Sequence, residues 1–269
     1  MIGNILTFEI EDKFDSDNPS NEKAIKRSRI IPNLIHLLDF LDQEKAKATF
    51  FILGIVSETF PEVVALINSR GHEIASHGMS HNKIASLAPD KLEFELKRSK
   101  ELLEAVIRKP VLGFRAADDY LNSKYLEIYG HIAGSGYDYD CSFLGRGPRI
   151  EINRPFMLTS SENKSIAVIP QSLRRALWFH IRFGEKTRAF PTWFIRSSID
   201  GLNQNGLAAM INMKLWEIDR HHPRPINSDY WDYGTFGNIQ FAEEKLRILL
   251  ENYKFVSCSE YLELNLKKR

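Results

Sequence analysis

The segment His72-Glu-Ile-Ala-Ser-His77-Gly-Met-Ser-His81 joins a short apolar strand directly to two histidines. Residues four apart share one face of a helical turn, so we predict that both imidazoles face the same way. A second segment, Thr7-Phe-Glu-Ile-Glu-Asp12, ends the first strand-like run with carboxylates. Two histidines and one carboxylate form a metal site that leaves coordination positions open for water and substrate.

The composition is that of a large globular protein with balanced charge. Of the 269 residues, 43% are hydrophobic and the formal net charge is +1, so a sizeable core is expected but no field that attracts nucleic acid or an anionic membrane. No signal-peptide pattern or membrane-spanning run is found. The distant Cys141 and Cys258 do not indicate a disulfide framework. We expect one cytoplasmic domain, residues 1–269.

Strand-like and helix-like segments alternate through the first half of the chain. Apolar runs predict strands at 2–10, 48–53, 72–76 and 111–115. Helical spacing and terminal residues predict helices at about 21–43, 61–71 and 89–108. This order predicts a parallel sheet or a (β/α) barrel. The later chain is less regular, with predicted strands at 165–169, 207–213 and 254–256 and an amphipathic helix at 238–253.

Polar and charged residues follow four of these strands directly. They occupy positions 9–12, 77–81, 115–119 and 214–217. Active sites of parallel α/β sheets and barrels form at the carboxyl ends of the strands. We therefore expect the four clusters to converge on one site.

Several segments resemble motifs of the polysaccharide deacetylase (NodB-homology) superfamily, and the first is similar to a subgroup whose motif reads T-F-D-x-E-D. The matching segments are Thr7–Asp12, Ala48–Gly54, Gly71–His81, Gly113–Ala117 (F-R-x-P, with alanine for proline), Tyr137–Ser142 (Y-x-Y-D-S-S) and Leu215–Asp219 (H-P-W-E-x-D). The resemblance spans residues 1 to about 256. It implies an α/β fold, a distorted (β/α)7 barrel, and removal of an N-acetyl or, second, an O-acetyl group from a sugar.

The resemblance also implies a divalent metal held by His77, His81 and a carboxylate of the first motif. Zinc suits imidazole ligands best, and cobalt or manganese are alternatives. Glu11 is the first choice for the third ligand because residues 9 and 11 share one strand face, with Asp12 as the ligand if the strand bends there. The implied reaction needs a base to activate water and an acid to protonate the leaving amine.

Two residues depart from the family pattern at the predicted catalytic positions. Glu9 replaces the family's aspartate base, which moves the carboxylate by roughly one ångström. Lys214 replaces the histidine that acts as general acid. A lysine donates a proton usefully only if its pKa falls well below about 10.4, although it also suits an anionic substrate group such as a phosphate. Arg115 is retained as the partner or orienter of the base.

Trp216, Asp140 and Asp118 are the predicted substrate-binding residues, and Trp216 is alternatively a packing residue of the barrel wall. The leading hypothesis is a deacetylase of polysaccharide or glycoconjugate biosynthesis that acts on a nucleotide- or lipid-linked sugar. Glu9 and Lys214 favour an alternative, a catalytically impaired relative that binds metal and carbohydrate or a partner protein. A third hypothesis is a metal-free hydrolase or lyase of cyclic amides. The presence of both histidines argues against it. The oligomeric state is left open.

Overall fold

A computed structural model describes residues 2–11, 29–117, 126–144, 153–160, 163–176, 179–184, 187–219 and 238–266. Within them the strands are β1 (Asn4–Ile10), β2 (Thr49–Ile52), β3 (Glu73–Ser76), β4 (Gly113–Phe114), β5 (Tyr139–Asp140), β6 (Phe156–Thr159), β7 (Ser165–Val168), β8 (Arg174–Ala176), β9 (Phe179–Ile181), β10 (Met210–Lys214) and β11 (Phe255–Val256). The helices are α1 (Ile30–Gln43), α2 (Gly54–Thr59), α3 (Pro61–Ser69), α4 (Pro89–Ile107), α5 (Leu126–Gly134), α6 (Thr192–Gln204), α7 (Ala242–Asn252) and α8 (Cys258–Leu266).

One curved sheet dominates the described part of the chain. Its order is β10-β1-β2-β3-β4-β5-β7-β6, and β11 pairs with β1. The pairs from β10 through β7 are all parallel, and β6 is antiparallel to β7. This arrangement confirms the predicted α/β fold of the distorted-barrel type. It also places the carboxyl ends of β1, β3, β4 and β10 on one side of the sheet.

Helices cover the sheet with their apolar faces. Helix α1 buries Ile30, Leu34, Leu37, Leu38 and Leu41, which recur at helical spacing. Helices α3 and α4 begin with proline, whose missing N–H costs nothing in the first turn. The alternation of elements through residue 114 is thus confirmed within the described residues, with β4 shorter than the predicted strand. Positions 21–28 of the first predicted helix lie outside the described residues.

The structure adds elements that the sequence pattern did not predict. Helix α2 begins at Gly54, with only Leu53 between it and β2. Strands β8 and β9 pair as a two-stranded sheet, and α6 follows them. The predicted helix at 238–253 is α7 preceded by a 3-10 turn at Ile239–Phe241.

The two cysteines are neighbours in space. Cys141 and Cys258 are fully buried free thiols whose sulfur atoms lie 3.8 Å apart. Cys258 is the first residue of α8, which begins two positions after β11 ends. Separation in sequence was therefore a poor guide to the distance between these thiols. In the described ranges, no helix combines the length and apolar character that crossing a bilayer requires.

Candidate metal centre and active site

The predicted clusters converge at the carboxyl ends of the strands. Glu9 and Glu11 lie at the end of β1, His77 follows β3, Arg115 follows β4, and Lys214 ends β10. Parallel pairing places Glu9 beside Lys214 and Thr7 beside Asn212. The side chains of Thr7, Glu9 and Glu11 share one face of β1 because neighbouring residues of a strand alternate. Asp12 and Asp118, which were also predicted here, lie outside the described residues.

Glu11, His77 and His81 each aim one donor atom at a common point. The three donor atoms lie within 4.8 Å of one another. Oε2 of Glu11 is 2.8 Å from Nε2 of His81. Nε2 of His77 is buried and has no hydrogen-bond partner in the described part of the chain. An unpartnered imidazole nitrogen beside a second imidazole and a carboxylate suits a divalent metal of the zinc type.

A backbone carbonyl sets the orientation of His77. Nδ1 of the ring lies 2.9 Å from the carbonyl oxygen of Arg115. A carbonyl oxygen only accepts, so Nδ1 carries the hydrogen and Nε2 presents its lone pair to the site. Metal-binding histidines generally use their second nitrogen in this way.

The segment from His77 to His81 is a loop, so the prediction of a helical turn was wrong. Gly78 has φ of 83° and His81 has φ of 57°, both in the left-handed region. Gly54 and Ile55 donate backbone hydrogen bonds of 2.8 and 2.9 Å to the carbonyls of Gly78 and Met79. The imidazoles meet because the loop turns back on α2, not through helical periodicity; their rings are 5.7 Å apart, edge to face.

Glu95 of α4 holds this loop and was not anticipated from the sequence. Its Oε2 accepts hydrogen bonds from the amides of Met79 (2.7 Å) and Ser80 (3.0 Å). Its Oε1 accepts from the Ser80 hydroxyl (2.5 Å) and the Asn82 amide (2.8 Å). A carboxylate at 4% exposure is satisfied by these four donors, which fix the backbone between the two histidines.

Glu9 is held by a buried polar network. Its Oε1 accepts a 2.7 Å hydrogen bond from Nδ2 of Asn212 and lies 3.4 Å from Arg115. Arg115 also donates to the Thr7 hydroxyl at 3.1 Å and to Oδ1 of Asn212 at 2.5 Å. Its guanidinium stacks 4.2 Å from the ring centre of Phe51. The predicted pairing of Arg115 with Glu9 is therefore observed, and Asn212 joins it.

Lys214 inserts its ammonium group between the two carboxylates of β1. Nζ lies 2.5 Å from Oε1 of Glu11 and 3.4 Å from Oε2 of Glu9. Oε2 of Glu9 is 3.9 Å from Nε2 of His77. Two carboxylates, two cations and two imidazoles thus share one small, largely buried site.

Two family models each match part of the chain. The family model described as "Polysaccharide deacetylase" matches residues 32–132, which include both histidines and Arg115. A second, described as "Domain of unknown function (DUF3473)", matches residues 145–263, which include Asn212 and Lys214. Residues 32–132 thus belong to the polysaccharide deacetylase superfamily. The narrower subgroup remains a prediction.

Individual relatives share only part of the chain. A peptidoglycan-N-acetylglucosamine deacetylase of Bacillus cereus is 36% identical over 86 residues, 32% of this chain and 40% of that protein. A chitooligosaccharide deacetylase of Rhizobium leguminosarum bv. trifolii is 31% identical over 67 residues, 25% of this chain and 31% of that one. The chain thus spans well under half the length of either relative.

A solved structure matches the whole fold. The structure, described as a polysaccharide deacetylase of Mycobacterium smegmatis, has a TM-score of 0.67 and 18% identity, and the match covers 99% of this chain and 92% of that one. At this identity the likeness shows the fold alone.

The charged groups of this site shift one another's pKa values. Although burial opposes ionisation of Glu9, the nearby Lys214, His77 and Arg115 lower its pKa below the usual range. Burial likewise opposes ionisation of Glu11, but His81 and Lys214 lower its pKa. Burial lowers the pKa of His77. At neutral pH the site therefore holds two carboxylates and a neutral His77.

The pKa of Lys214 is raised, whereas acid catalysis by a lysine requires a lowered pKa. Burial favours the neutral amine, but Glu9 and Glu11 outweigh it and raise the pKa above its ordinary value. The condition for Lys214 as an effective proton donor, a lowered pKa, is not met here.

Trp216 and Asp140, the predicted substrate-binding residues within the described part of the chain, are buried. Trp216 is 7% exposed and packs 5.4 Å from the guanidinium of Arg188. Arg188 also pairs with Glu217 at 2.6 Å. Asp140 is fully buried, accepts hydrogen bonds from the amide and hydroxyl of Ser142, and has a pKa raised to about 7 by burial. Direct contact of Trp216 or Asp140 with a sugar stays a prediction.

Proposed function

We propose that this protein is a metal-dependent hydrolase of polysaccharide or glycoconjugate biosynthesis, a single domain over residues 1–269, that removes an acetyl group from an N-acetylated sugar. The observation that carries the proposal is the cluster of Glu11, His77 and His81, whose donor atoms lie within 4.8 Å. A carboxylate outside that set, Glu9, stands 3.9 Å from His77. Metal ligands and a separate base, placed together at the carboxyl ends of the strands, are the groups that metal-dependent amide hydrolysis requires.

The donor set suits zinc, with cobalt or manganese as alternatives. A divalent ion bound there would supply Lewis acidity, which acidifies water and polarises a carbonyl. Glu11, His77 and His81 would hold it, and Glu95 keeps the two histidines in place through the loop. Asp12 remains an alternative or additional ligand.

Glu9 is the proposed base. Its carboxylate is ionised at neutral pH and directs Oε2 toward the site, while Oε1 is held by Asn212 and Arg115. Arg115 thereby orients the base and balances its charge. A lowered pKa makes Glu9 a weak base, which limits the rate of proton removal.

The substrate proposal follows the two curated relatives, whose names specify peptidoglycan N-acetylglucosamine and chitooligosaccharides. We propose an N-acetylamino sugar, carried on a nucleotide or lipid, with an O-acetyl sugar as the second choice. Trp216, Asp140 and Asp118 are its proposed contacts.

A second function is favoured by the Lys214 ion pairs. The ammonium group pairs with both Glu11 and Glu9 and holds its proton tightly. A site whose base is paired and whose proton donor is weak suits a protein that binds metal and carbohydrate, or a partner protein, without turnover.

Acetate release separates the two functions. The purified protein is loaded with Zn²⁺ or Co²⁺ and incubated with chitooligosaccharides, peptidoglycan fragments and nucleotide-linked N-acetyl sugars. The variants compared are His77→Ala, Lys214→His and, as a matched control, His36→Ala. His36 lies on the exposed side of α1, where its imidazole pairs with Glu243 of α7.

Release by the wild type and His36→Ala but not by His77→Ala would establish the deacetylase. Stoichiometric metal binding without release would favour the binding protein. Release only by Lys214→His would identify the missing acid as the cause of inactivity, and release by metal-free protein would point to the cyclic-amide type of chemistry.

A further inference from the structure

The ammonium group of Lys214 and the proposed metal depend on the same carboxylate. Oε1 of Glu11 pairs with Nζ of Lys214 at 2.5 Å, and Oε2 faces Nε2 of His81 at 2.8 Å. Glu11 is 9% exposed, so its charge is poorly screened by water. A cation that pairs with one oxygen weakens the electrostatic attraction between the carboxylate and a second cation at the other oxygen.

The two carboxylates of the site are also balanced by Lys214 and Arg115 before any metal ion binds. Glu9 and Glu11 contribute two negative charges, and Lys214 and Arg115 contribute two positive ones. Arg115 is fixed by Thr7, Asn212 and the ring of Phe51, with 1% of its side chain exposed. It therefore cannot leave, and a divalent ion that joins all four groups adds two uncompensated positive charges.

Lys214 differs from Arg115 in having a route out of the site. Its side chain is 34% exposed. Its backbone is held independently of the ammonium group, because the backbone amide donates a 2.9 Å hydrogen bond to the carboxylate of Glu217. The ammonium group can thus move into water by rotation of a flexible stem without disturbing β10.

We propose that Lys214 is a tethered competitor of the metal: its ammonium group occupies the carboxylates of Glu11 and Glu9, and a divalent ion binds only by weakening or displacing that pair. Lys214 then sets the metal concentration at which the site fills. This inference rests on the proposed metal site but not on catalytic activity.

Metal affinity of the 269-residue protein tests the proposal. Apo-protein is titrated with Co²⁺ by calorimetry and by the visible absorption of the bound ion. The variants are Lys214→Met, which removes the charge and keeps the stem, and Lys214→Arg, which keeps the charge. Lys47→Met is the matched control, because Lys47 precedes β2 at the opposite end of the sheet and bonds to the carbonyl of Arg70.

We expect Lys214→Met to bind Co²⁺ roughly tenfold more tightly or better, and Lys214→Arg and Lys47→Met to stay near the wild-type affinity. A merely structural lysine would not give a gain in affinity when removed. Equal or weaker binding by Lys214→Met overturns the proposal. Absence of binding in every variant overturns both this proposal and the metal site, whereas tight binding without acetate release overturns only the proposed activity.

Discussion

Nδ1 of His77 lies 2.9 Å from the carbonyl oxygen of Arg115, so the residue that follows β3 is oriented by the residue that follows β4. The same residue, Arg115, reaches Glu9 with its guanidinium group. One residue thus positions a proposed metal ligand through its backbone and the proposed base through its side chain. A shift of β4 relative to β3 would disturb both at once.

This hydrogen bond predicts the tautomer of His77. At neutral pH the ring should be neutral, because burial lowers its pKa, and should carry its hydrogen on Nδ1. Long-range ¹H–¹⁵N NMR spectra should show a protonated Nδ1 and an unprotonated Nε2, with only Nε2 shifting when Zn²⁺ is added. A hydrogen on Nε2 would contradict the proposed ligand assignment.

Glu95→Gln tests the loop that carries the histidines. The amide keeps the size of the carboxylate but places an N–H₂ group among four donors. We expect about tenfold weaker metal binding, as for other partners that orient ligands, and a loss of about 1–3 kcal/mol in the free energy of unfolding. Titration calorimetry and urea unfolding measure the two effects.

Glu93→Gln is the control on the same helix. The side chain of Glu93 is 51% exposed and pairs with Lys97 one turn later, so its loss should leave the free energy of unfolding nearly unchanged. Equal effects of both substitutions on metal affinity would show that Glu95 does not act through the loop.

Asn212→Ala tests the network around the base. Asn212 donates to Glu9 and accepts from Thr7 and Arg115. Without it Glu9 loses its 2.7 Å hydrogen bond, so we expect kcat for acetate release to fall by roughly tenfold to a hundredfold with little change in KM. Asn203→Ala is the control, since Asn203 bonds to Asn4 at the other end of β1; it should lower stability and leave kcat unchanged. Equal loss of kcat in both variants would assign the effect to stability.

The site residues that were predicted from the sequence belong to short local motifs, whereas those that were missed depend on partners far away along the chain. The acidic end of β1 and the histidines after β3 belong to short segments, and the rule that strand carboxyl ends meet was enough to bring them together. Asn212 gains its role only through the register of β10 against β1, which pairs it with Thr7 about two hundred positions earlier. No local pattern encodes that register.

Tertiary contacts explain the other features of the site that the sequence pattern did not reveal. His77-Gly-Met-Ser-His81 has the spacing of a helical turn, but the left-handed conformations of Gly78 and His81 and the hydrogen bonds to Glu95 make it a loop. Glu95 itself looks like any charged residue of α4 until the loop packs against it. The ion pairs of Lys214 likewise depend on side-chain placement, which decides whether its pKa falls or rises.

The buried thiols predict an unreactive pair. Cys141 and Cys258 have no exposed surface, and burial raises the pKa of Cys141. A thiol reagent such as DTNB should label neither residue rapidly in the native protein and both in denaturant, measured by absorbance of the released thiolate. Rapid native labelling of either thiol would contradict the packing of β5 against the start of α8.

His72 predicts a loss of stability as the pH falls. Its ring is 5% exposed, packs 5.1 Å from the ring of Phe50, and has no hydrogen-bond partner at either nitrogen among the described residues. Burial and the neighbouring Lys47 lower its pKa to about 4. Between about pH 6.5 and 4 the unfolded chain therefore binds a proton at this residue that the folded protein does not, and the free energy of unfolding declines.

The full effect is about 3 kcal/mol, and His72→Gln should remove it. Other groups titrate in or near this window. The raised pKa values of His81 and Asp140 stabilise the fold as pH falls, whereas the lowered pKa of His77 destabilises it and that of Glu11 does so below about pH 4.5. These contributions are common to both proteins because His72 lies at the opposite end of β3 from the site. Urea unfolding from pH 7 to 4 should therefore give a difference between wild type and variant that grows steadily with acidity, whereas parallel curves would show that His72 is protonated in the folded protein.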